Sequence, residues 1–148
     1  MAIAFFHTWT TYGTWLPGDA RGWFLSRRGL QPADIHRELS SAMHMTEKAL
    51  RLTDAERAIV EQTITDHCKI RNWELFAVNC RTNHVHVVVA ANRELPVVRE
   101  EFKAWCTRKL KAAAGVARKK WWTERGWDEY IDDDEGLTAT IDYVQFRQ

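Results

Sequence analysis

The spacing of hydrophobic side chains along the chain predicts three main strands. Residues 5–12 are rich in aromatic and β-branched side chains, and residues 73–80 and 84–91 have the same character. Three residues separate the second and third of these segments, which favours a hairpin. Short strands are also predicted on both sides of Gly126.

Apolar side chains at helical spacing predict three helices. The first begins at the capping-box pair Thr53 and Glu56 and ends near Asn72. The second begins at Pro96, a residue type that suits the first turn of a helix. The third follows the acidic residues 132–135, whose charge is favourable at a helix N-terminus.

The order strand, helix, strand, strand, helix, strand, helix is typical of an α+β fold. We expect a single antiparallel sheet with helices packed on one face and the other face open. Residues 21–53 lack a regular pattern and are predicted to form a long loop with one short helix over residues 40–50. The whole chain, residues 1–148, has the length of one domain.

Composition excludes several classes of protein. Hydrophobic residues make up 45% of the chain, which excludes an intrinsically disordered protein. No apolar stretch is long enough to cross a membrane and no signal peptide is evident, so we expect a cytoplasmic protein. The three cysteines, Cys68, Cys80 and Cys106, lack the spacing of a metal site or of a disulfide framework.

Charge is segregated along the second half of the chain. Residues 103–125 contain eight basic residues and one acid, whereas residues 128–135 contain six acids and no base. The basic segment is either a surface that binds a polyanion or a solvated helix face. Its candidate nucleic-acid contacts are basic residues for phosphates and tryptophans for unpaired bases, namely Lys103, Arg108, Lys111, Lys119, Lys120, Trp121 and Trp122.

His84 and His86 form the most informative pair in the sequence. Side chains alternate along a strand, so both imidazoles project from one face while Val85 and Val87 project from the other, toward the helices. Two neighbouring neutral imidazoles can bind one divalent metal ion; the alternative is a pair of exposed histidines without a ligand. His7, in the first predicted strand, is expected on the same face as this pair.

Tyr143 lies on the last predicted helix, about 100° from the centre of the apolar stripe that Leu137, Ile141 and Val144 form. The residue is either a packing or hydrogen-bonding tyrosine at the edge of the core, or a nucleophile. A phenol becomes a useful nucleophile when its phenolate is stabilised or its target is activated, and a metal ion that polarises a phosphate does the latter.

Taken together, these features resemble a known family. Asn83-His84-Val85-His86, followed by three valines, a basic helix and a lone Tyr143 on a C-terminal helix, is similar to the single-tyrosine HUH transposases, which include the REP-associated tyrosine transposases. The opening residues 8–17 and 21–23 resemble one bacterial branch of that family.

The resemblance implies an RRM-like or ferredoxin-like fold and an enzyme of DNA transposition. It implies His84 and His86 as ligands of Mg²⁺ or Mn²⁺, and Tyr143 as the nucleophile that attacks single-stranded or hairpin DNA and forms a 5′-phosphotyrosine link. It also implies a homodimer, in which the tyrosine helix often docks on the histidines of the partner.

The third metal ligand departs from the family pattern, which has a glutamine about one helical turn after the tyrosine. The residue four positions after Tyr143 is Arg147, and Gln148 follows it. On an ideal helix Arg147 shares the face of the tyrosine, whereas Gln148 is rotated away. Gln148 is therefore a candidate metal ligand that requires an unwound terminal turn, and Arg147 is an alternative contact to phosphate.

Two other functions stay open. The chain could be a cleavage-deficient protein of the same fold that binds hairpin or single-stranded DNA, or a small metal hydrolase in which the two histidines activate water. Salt-sensitive DNA binding without covalent adducts would identify the first, and turnover that survives the loss of Tyr143 would identify the second.

Overall fold

The structure, a computed structural model, describes residues 2–25, 28–114 and 118–146. Its elements, in chain order, are β1 (Ala4–Thr10), β2 (Trp23–Leu25), β3 (Gly29–Gln31), α1 (Ile35–Met43), α2 (Asp54–Arg71), β4 (Glu74–Cys80), β5 (His84–Ala90), α3 (Leu95–Ala114), β6 (Trp127–Ile131) and α4 (Asp134–Phe146). Four of the strands form one sheet in which all neighbours are antiparallel. The predicted α+β class and antiparallel sheet are thereby confirmed.

The strands of the main sheet lie in the order β4–β5–β1–β6. Helix α2 connects β1 to β4, with β5 between them, and helix α3 connects β5 to β6, with β1 between them. These two split crossovers are the ferredoxin-like arrangement. The central pair sets the geometry of the site, because Thr8 and Thr10 of β1 lie opposite His86 and His84 of β5.

Helices α2 and α3 cover one face of the sheet. The predicted capping box begins α2, since the Thr53 hydroxyl accepts the Glu56 N–H at 3.2 Å while the Glu56 carboxylate accepts the Thr53 N–H at 2.9 Å. Asn72 ends the helix in the left-handed conformation typical of a C-terminal cap. Val85 and Val87 are fully buried under these helices, as the alternation in β5 predicts.

Helix α4 lies on the opposite face, which the sequence pattern predicted to be open. Its Val144 is fully buried against apolar residues of the sheet, which are Ala4, Ala77, Val88 and Ile131. The physical reason is that the central strands carry apolar side chains on both faces, so burial of the second face is also favourable. The apolar stripe of α4 packs there, and helices therefore lie on both faces.

Residues 21–53 contain more regular structure than predicted. Strands β2 and β3 pair as a small separate hairpin, and α1 begins at Ile35 rather than near residue 40. The side chain of Asp34 explains the earlier start, because it accepts a hydrogen bond from the Arg37 N–H and caps the helix.

The region between α3 and α4 is less regular than predicted. Trp122 forms only an isolated bridge to Thr11, and β6 is the one strand of this region that joins the sheet within the described ranges. All three cysteines are free and buried. Among the helices that the structure describes, none is long and apolar enough to span a membrane.

Candidate active site

The two histidines of β5 lie side by side. The centroids of the His84 and His86 rings are 4.8 Å apart, with an interplanar angle of 75°. His84 is half-buried and His86 is 7% exposed. The strand therefore places two imidazoles close enough to contact one ligand, on the face that also carries α4.

Each imidazole is held through its Nδ1 atom. His86 Nδ1 lies 2.7 Å from the Thr8 hydroxyl oxygen, and His84 Nδ1 lies 2.8 Å from the Asn83 side-chain oxygen. An amide oxygen only accepts hydrogen bonds, so the proton of neutral His84 is on Nδ1. In both rings this arrangement assigns coordination of a cation to Nε2, so the donor set fits a divalent metal ion.

The environment keeps His86 neutral at physiological pH. Burial, followed by the neighbouring charges of His84 and Arg81, lowers the pKa of His86 to about 4. A neutral imidazole has a lone pair available for a metal ion, whereas an imidazolium has none.

Tyr143 approaches this pair from α4 of the same chain. Its ring centroid is 5.7 Å from that of His86, with the rings at 74°, and the residue is 44% exposed. The phenol therefore borders the histidine pair and is also open to solvent. The fold brings together the three side chains that the sequence singled out.

Phe6 completes an aromatic cluster that the sequence analysis missed. Its ring stacks on His86 with centroids 5.5 Å apart and planes at 14°, and it meets the Tyr143 ring edge-on at 6.4 Å. Alternation along β1 was the available signal, because Phe6 and Thr8 share a face of that strand.

A hydrogen bond from the sheet holds α4 beside the site. The Asn79 amide donates to the main-chain oxygen of Val144 at 2.9 Å. Asn79 lies opposite His86 in the register of β4 and β5. The residue after Tyr143 is thus tied to the strand position next to the buried histidine.

The described residues do not test a third contact to the metal ion or the phosphate. Gln148 and Arg147, the candidates for a third contact, lie outside the described residues. Within residues 2–25, 28–114 and 118–146, no group of three or more His, Cys, Asp and Glu side chains is arranged to hold a metal ion.

Comparison with known proteins identifies the family. The sequence model of the IS200-like transposases matches residues 42–134, more than half of the chain and including both histidines. The chain belongs to the IS200-like transposase family. It is therefore related to enzymes that process DNA in transposition. The match ends before Tyr143, and a comparison with curated proteins found none that matches.

The fold of this IS200-like transposase is also similar to a solved structure, that of a REP-associated tyrosine transposase bound to a REP hairpin. The sequences are 15% identical and the TM-score is 0.56. The similarity covers 97% of this chain and 66% of the other chain, so the relative is the longer protein.

His7 of the transposase lies on the opposite face from the histidine pair, contrary to expectation. It pairs with Val87 in the β1–β5 register and is fully buried beneath α3, where its Nδ1 lies 2.7 Å from a carboxylate oxygen of Asp128. Arg99 pairs with the other oxygen of that carboxylate. The one-residue offset from Thr8 explains the error, since adjacent strand residues face opposite ways.

Two of the predicted DNA contacts of the transposase are interior residues. The Lys103 ammonium donates to the main-chain oxygens of Thr123 and Arg125, at 3.0 and 2.8 Å, and the residue is 7% exposed. Trp121 is 3% exposed and belongs to the core under α2 and α3. Their side chains are engaged in holding the segment after α3, so we do not retain either as a DNA contact.

The four predicted DNA contacts that are exposed lie on two parts of the chain. Lys119 and Lys120 line a groove of about 880 Å³ that Tyr12, Trp15 and Trp122 also line. Arg108 and Lys111 are exposed on α3, the helix that covers the other face of the sheet from the histidine pair. The basic segment therefore contributes both to the groove and to the exposed surface of α3, a helix whose Ala104 and Thr107 also line the groove.

Proposed function

We propose that this transposase cleaves and rejoins single-stranded DNA, with Tyr143 as the nucleophile and with His84 and His86 as ligands of Mg²⁺ or Mn²⁺. The observation that carries the proposal is the contact between the Tyr143 and His86 rings within one chain. Gln148 stays a candidate for a further ligand.

The proposed chemistry exchanges one ester for another. The Tyr143 oxygen attacks the phosphorus of a phosphodiester and its proton passes to solvent. The bond from phosphorus to the 3′ oxygen breaks, and that oxygen takes a proton from solvent. The products are a 5′-phosphotyrosine and a free 3′-hydroxyl. A 3′-hydroxyl of a second strand then attacks the phosphotyrosine and releases the phenol, so no nucleotide is hydrolysed.

The protein contributes placement to this chemistry. A divalent metal ion, when bound, would polarise the scissile phosphate and align it. The β5 strand fixes the two imidazoles, and the Asn79 bond to α4 fixes the phenol beside them. The phenol would thereby be held next to the phosphate that the metal ion aligns, before the reaction begins.

The groove is the proposed path for hairpin or single-stranded DNA; its lining includes neither the histidine pair nor Tyr143, and Thr123 links it to β1. Thr123 lines the groove, and its hydroxyl accepts a hydrogen bond from Thr10, which lies opposite His84. Lys119 and Lys120 would neutralise phosphates there, and the exposed Trp15 would stack on a base.

A covalent-adduct assay tests the proposal. We expect the chain, with Mg²⁺ or Mn²⁺ and hairpin-flanked single-stranded DNA, to form a protein–DNA adduct that resists denaturation. Tyr143→Phe should form none, because the nucleophilic oxygen is gone. Tyr130→Phe is the matched control, since Tyr130 is an exposed tyrosine on β6 that contacts Phe5, and it should react as the wild type does.

Two results would contradict this function. An adduct with Tyr143→Phe would show that another group is the nucleophile. Salt-sensitive DNA binding by a wild type that forms no adduct would favour the alternative, a cleavage-deficient protein that binds hairpin or single-stranded DNA.

A further inference from the structure

The buried face of His86 is in contact with a residue that has no assigned role, Thr8. We propose that Thr8 is a positioning residue for metal binding, whose hydroxyl holds the His86 imidazole with Nδ1 toward β1 and presents Nε2 to the cation. This inference rests on the proposed function for the identity of the cation, and it concerns a residue outside the sequence range that the family model matches.

The geometry around His86 restrains the ring on two sides. Thr8 lies directly across from His86 in the strand pair, and its Oγ1 is 2.7 Å from Nδ1. Phe6, two residues earlier on the same face, stacks flat against the imidazole. Stacking on Phe6 fits both ring orientations that a half-turn about the Cβ–Cγ bond relates, whereas the hydrogen bond to Thr8 fits only the one with Nδ1 toward β1. Thr8 is therefore the contact that fixes the direction in which Nε2 points.

Because His86 is buried, losing the hydrogen bond to Thr8 is costly, and this cost fixes the orientation of the ring. His86 is 7% exposed, so a ring nitrogen turned away from Thr8 has little access to water. A buried polar atom that loses its hydrogen bond is costly to desolvate. A neutral imidazole has one N–H, and when Nδ1 donates it to the Thr8 hydroxyl the lone pair that a cation needs is on Nε2.

His84 is also held through its Nδ1 atom, but by the turn before β5 rather than by β1. Its Nδ1 donates to the side-chain oxygen of Asn83 in the turn between β4 and β5. The main-chain oxygen of Asn83 accepts the Thr11 N–H at 2.9 Å, which ties this turn to the end of β1. Both ligands are thus oriented through Nδ1, as expected for a site that binds through two Nε2 atoms.

The chain offers a matched control on the same strand. Thr10 lies two residues after Thr8, on the same face, and opposite His84. Its hydroxyl donates to Thr123 at 2.9 Å rather than to a histidine. Thr8→Val and Thr10→Val therefore remove the same group from equivalent positions, and only the first removes a histidine contact. Thr8→Ser keeps the hydroxyl.

The first experiment measures Mn²⁺ binding by the full chain without DNA, using the electron paramagnetic resonance signal of free Mn²⁺. We expect Thr8→Val to weaken binding at least about tenfold, as is common when a partner of a metal-bound histidine is lost. Thr8→Ser and Thr10→Val should bind within about twofold of the wild type. Unchanged affinity of Thr8→Val would overturn the proposal.

The second experiment needs no metal. Nitrogen NMR of the histidine side chains identifies which ring nitrogen carries the proton, and we expect Nδ1–H for His86 in the wild type and in Thr10→Val. In Thr8→Val the proton should shift toward Nε2. A wild-type His86 protonated on Nε2 would overturn the proposal.

The two measurements separate this inference from the proposed function. If the wild type binds no Mn²⁺ while the NMR result is as expected, the metal assignment fails and the role of Thr8 in orienting His86 stands. If the wild type binds Mn²⁺ and Thr8→Val changes neither affinity nor tautomer, the role of Thr8 fails and the proposed function stands.

Discussion

At the scale of single residues, exposure separates basic side chains that can meet DNA from those that support the fold. The Lys103 ammonium is buried and donates to two main-chain oxygens, whereas Lys119 and Lys120 are exposed at the groove. Burial lowers the pKa of Lys103, and the nearby Glu100 carboxylate, at 3.3 Å from the ammonium, opposes that shift. Lysines of one basic segment therefore have different roles, according to whether they are buried or exposed.

The groove lysines carry a testable expectation about DNA binding. The double variant Lys119→Ala and Lys120→Ala should bind hairpin-flanked single-stranded DNA more weakly, because two phosphate contacts are lost. The slope of the logarithm of affinity against the logarithm of salt concentration should fall by about 1.4, at roughly 0.7 per phosphate of a single strand.

A matched pair of exposed basic residues outside the groove lining tests whether position or charge matters. Arg108→Ala and Lys111→Ala remove the same charge from the outer surface of α3. This variant should keep the wild-type salt slope. An equal fall in both double variants would show that the DNA contacts are not confined to the groove.

At the scale of elements, α4 is held on the sheet by one fully buried side chain, two partly buried ones and a hydrogen bond. Val144 is its one buried residue among Asp134–Phe146, and the Asn79 amide supplies the hydrogen bond to its last turn. The last carbonyls of a helix lack partners within it, and the Asn79 amide is a partner of this kind for Val144. Asn79 therefore contributes both to stability and to the position of Tyr143.

Asn79→Ala tests that contribution. Loss of the bond should cost about 1 kcal/mol of docking free energy for α4, and the rate of adduct formation should fall roughly fivefold. Asn92→Ala is the control, because it removes a hydrogen bond of similar length, to Trp73 at 2.8 Å, away from α4. Equal loss of adduct in both variants would mean that general stability, not the position of α4, sets the rate.

At the scale of the whole molecule, Tyr143, the proposed nucleophile, lies beside the histidine pair within one chain. The Tyr143 ring contacts both His86 and Phe6 of its own sheet. A homodimer remains a prediction, and this contact places the candidate tyrosine beside the histidine pair of its own chain.

Mixing two inactive variants distinguishes the two arrangements. Tyr143→Phe supplies intact histidines and His86→Gln supplies an intact tyrosine. We expect the mixture to form no adduct, because each chain lacks one component of a site built in one chain. Restored adduct formation would show that the tyrosine helix acts on the histidines of a partner, and sedimentation of the wild type would then reveal the dimer.

Local hydrophobic periodicity, together with the residues that begin and end helices, was sufficient to place most helices and strands. The capping box of α2, the alternation of β5 and the acidic start of α4 depend on residues close together in the sequence. They predicted the α+β class and put His84 and His86 on one face. Resemblance to a family then connected that pair to Tyr143, which lies far from it in the sequence.

Which face each element covers was decided only by tertiary structure. A period of two shows that strand residues alternate between two faces, and a period of 3.6 shows that a helix has an apolar face. Neither shows which face of the sheet a given helix packs against. For this reason the sequence could not place α4 on the histidine face, or put Phe6 and Thr8 rather than His7 beside His86. The burial of Lys103 likewise required acceptors from a segment twenty residues away.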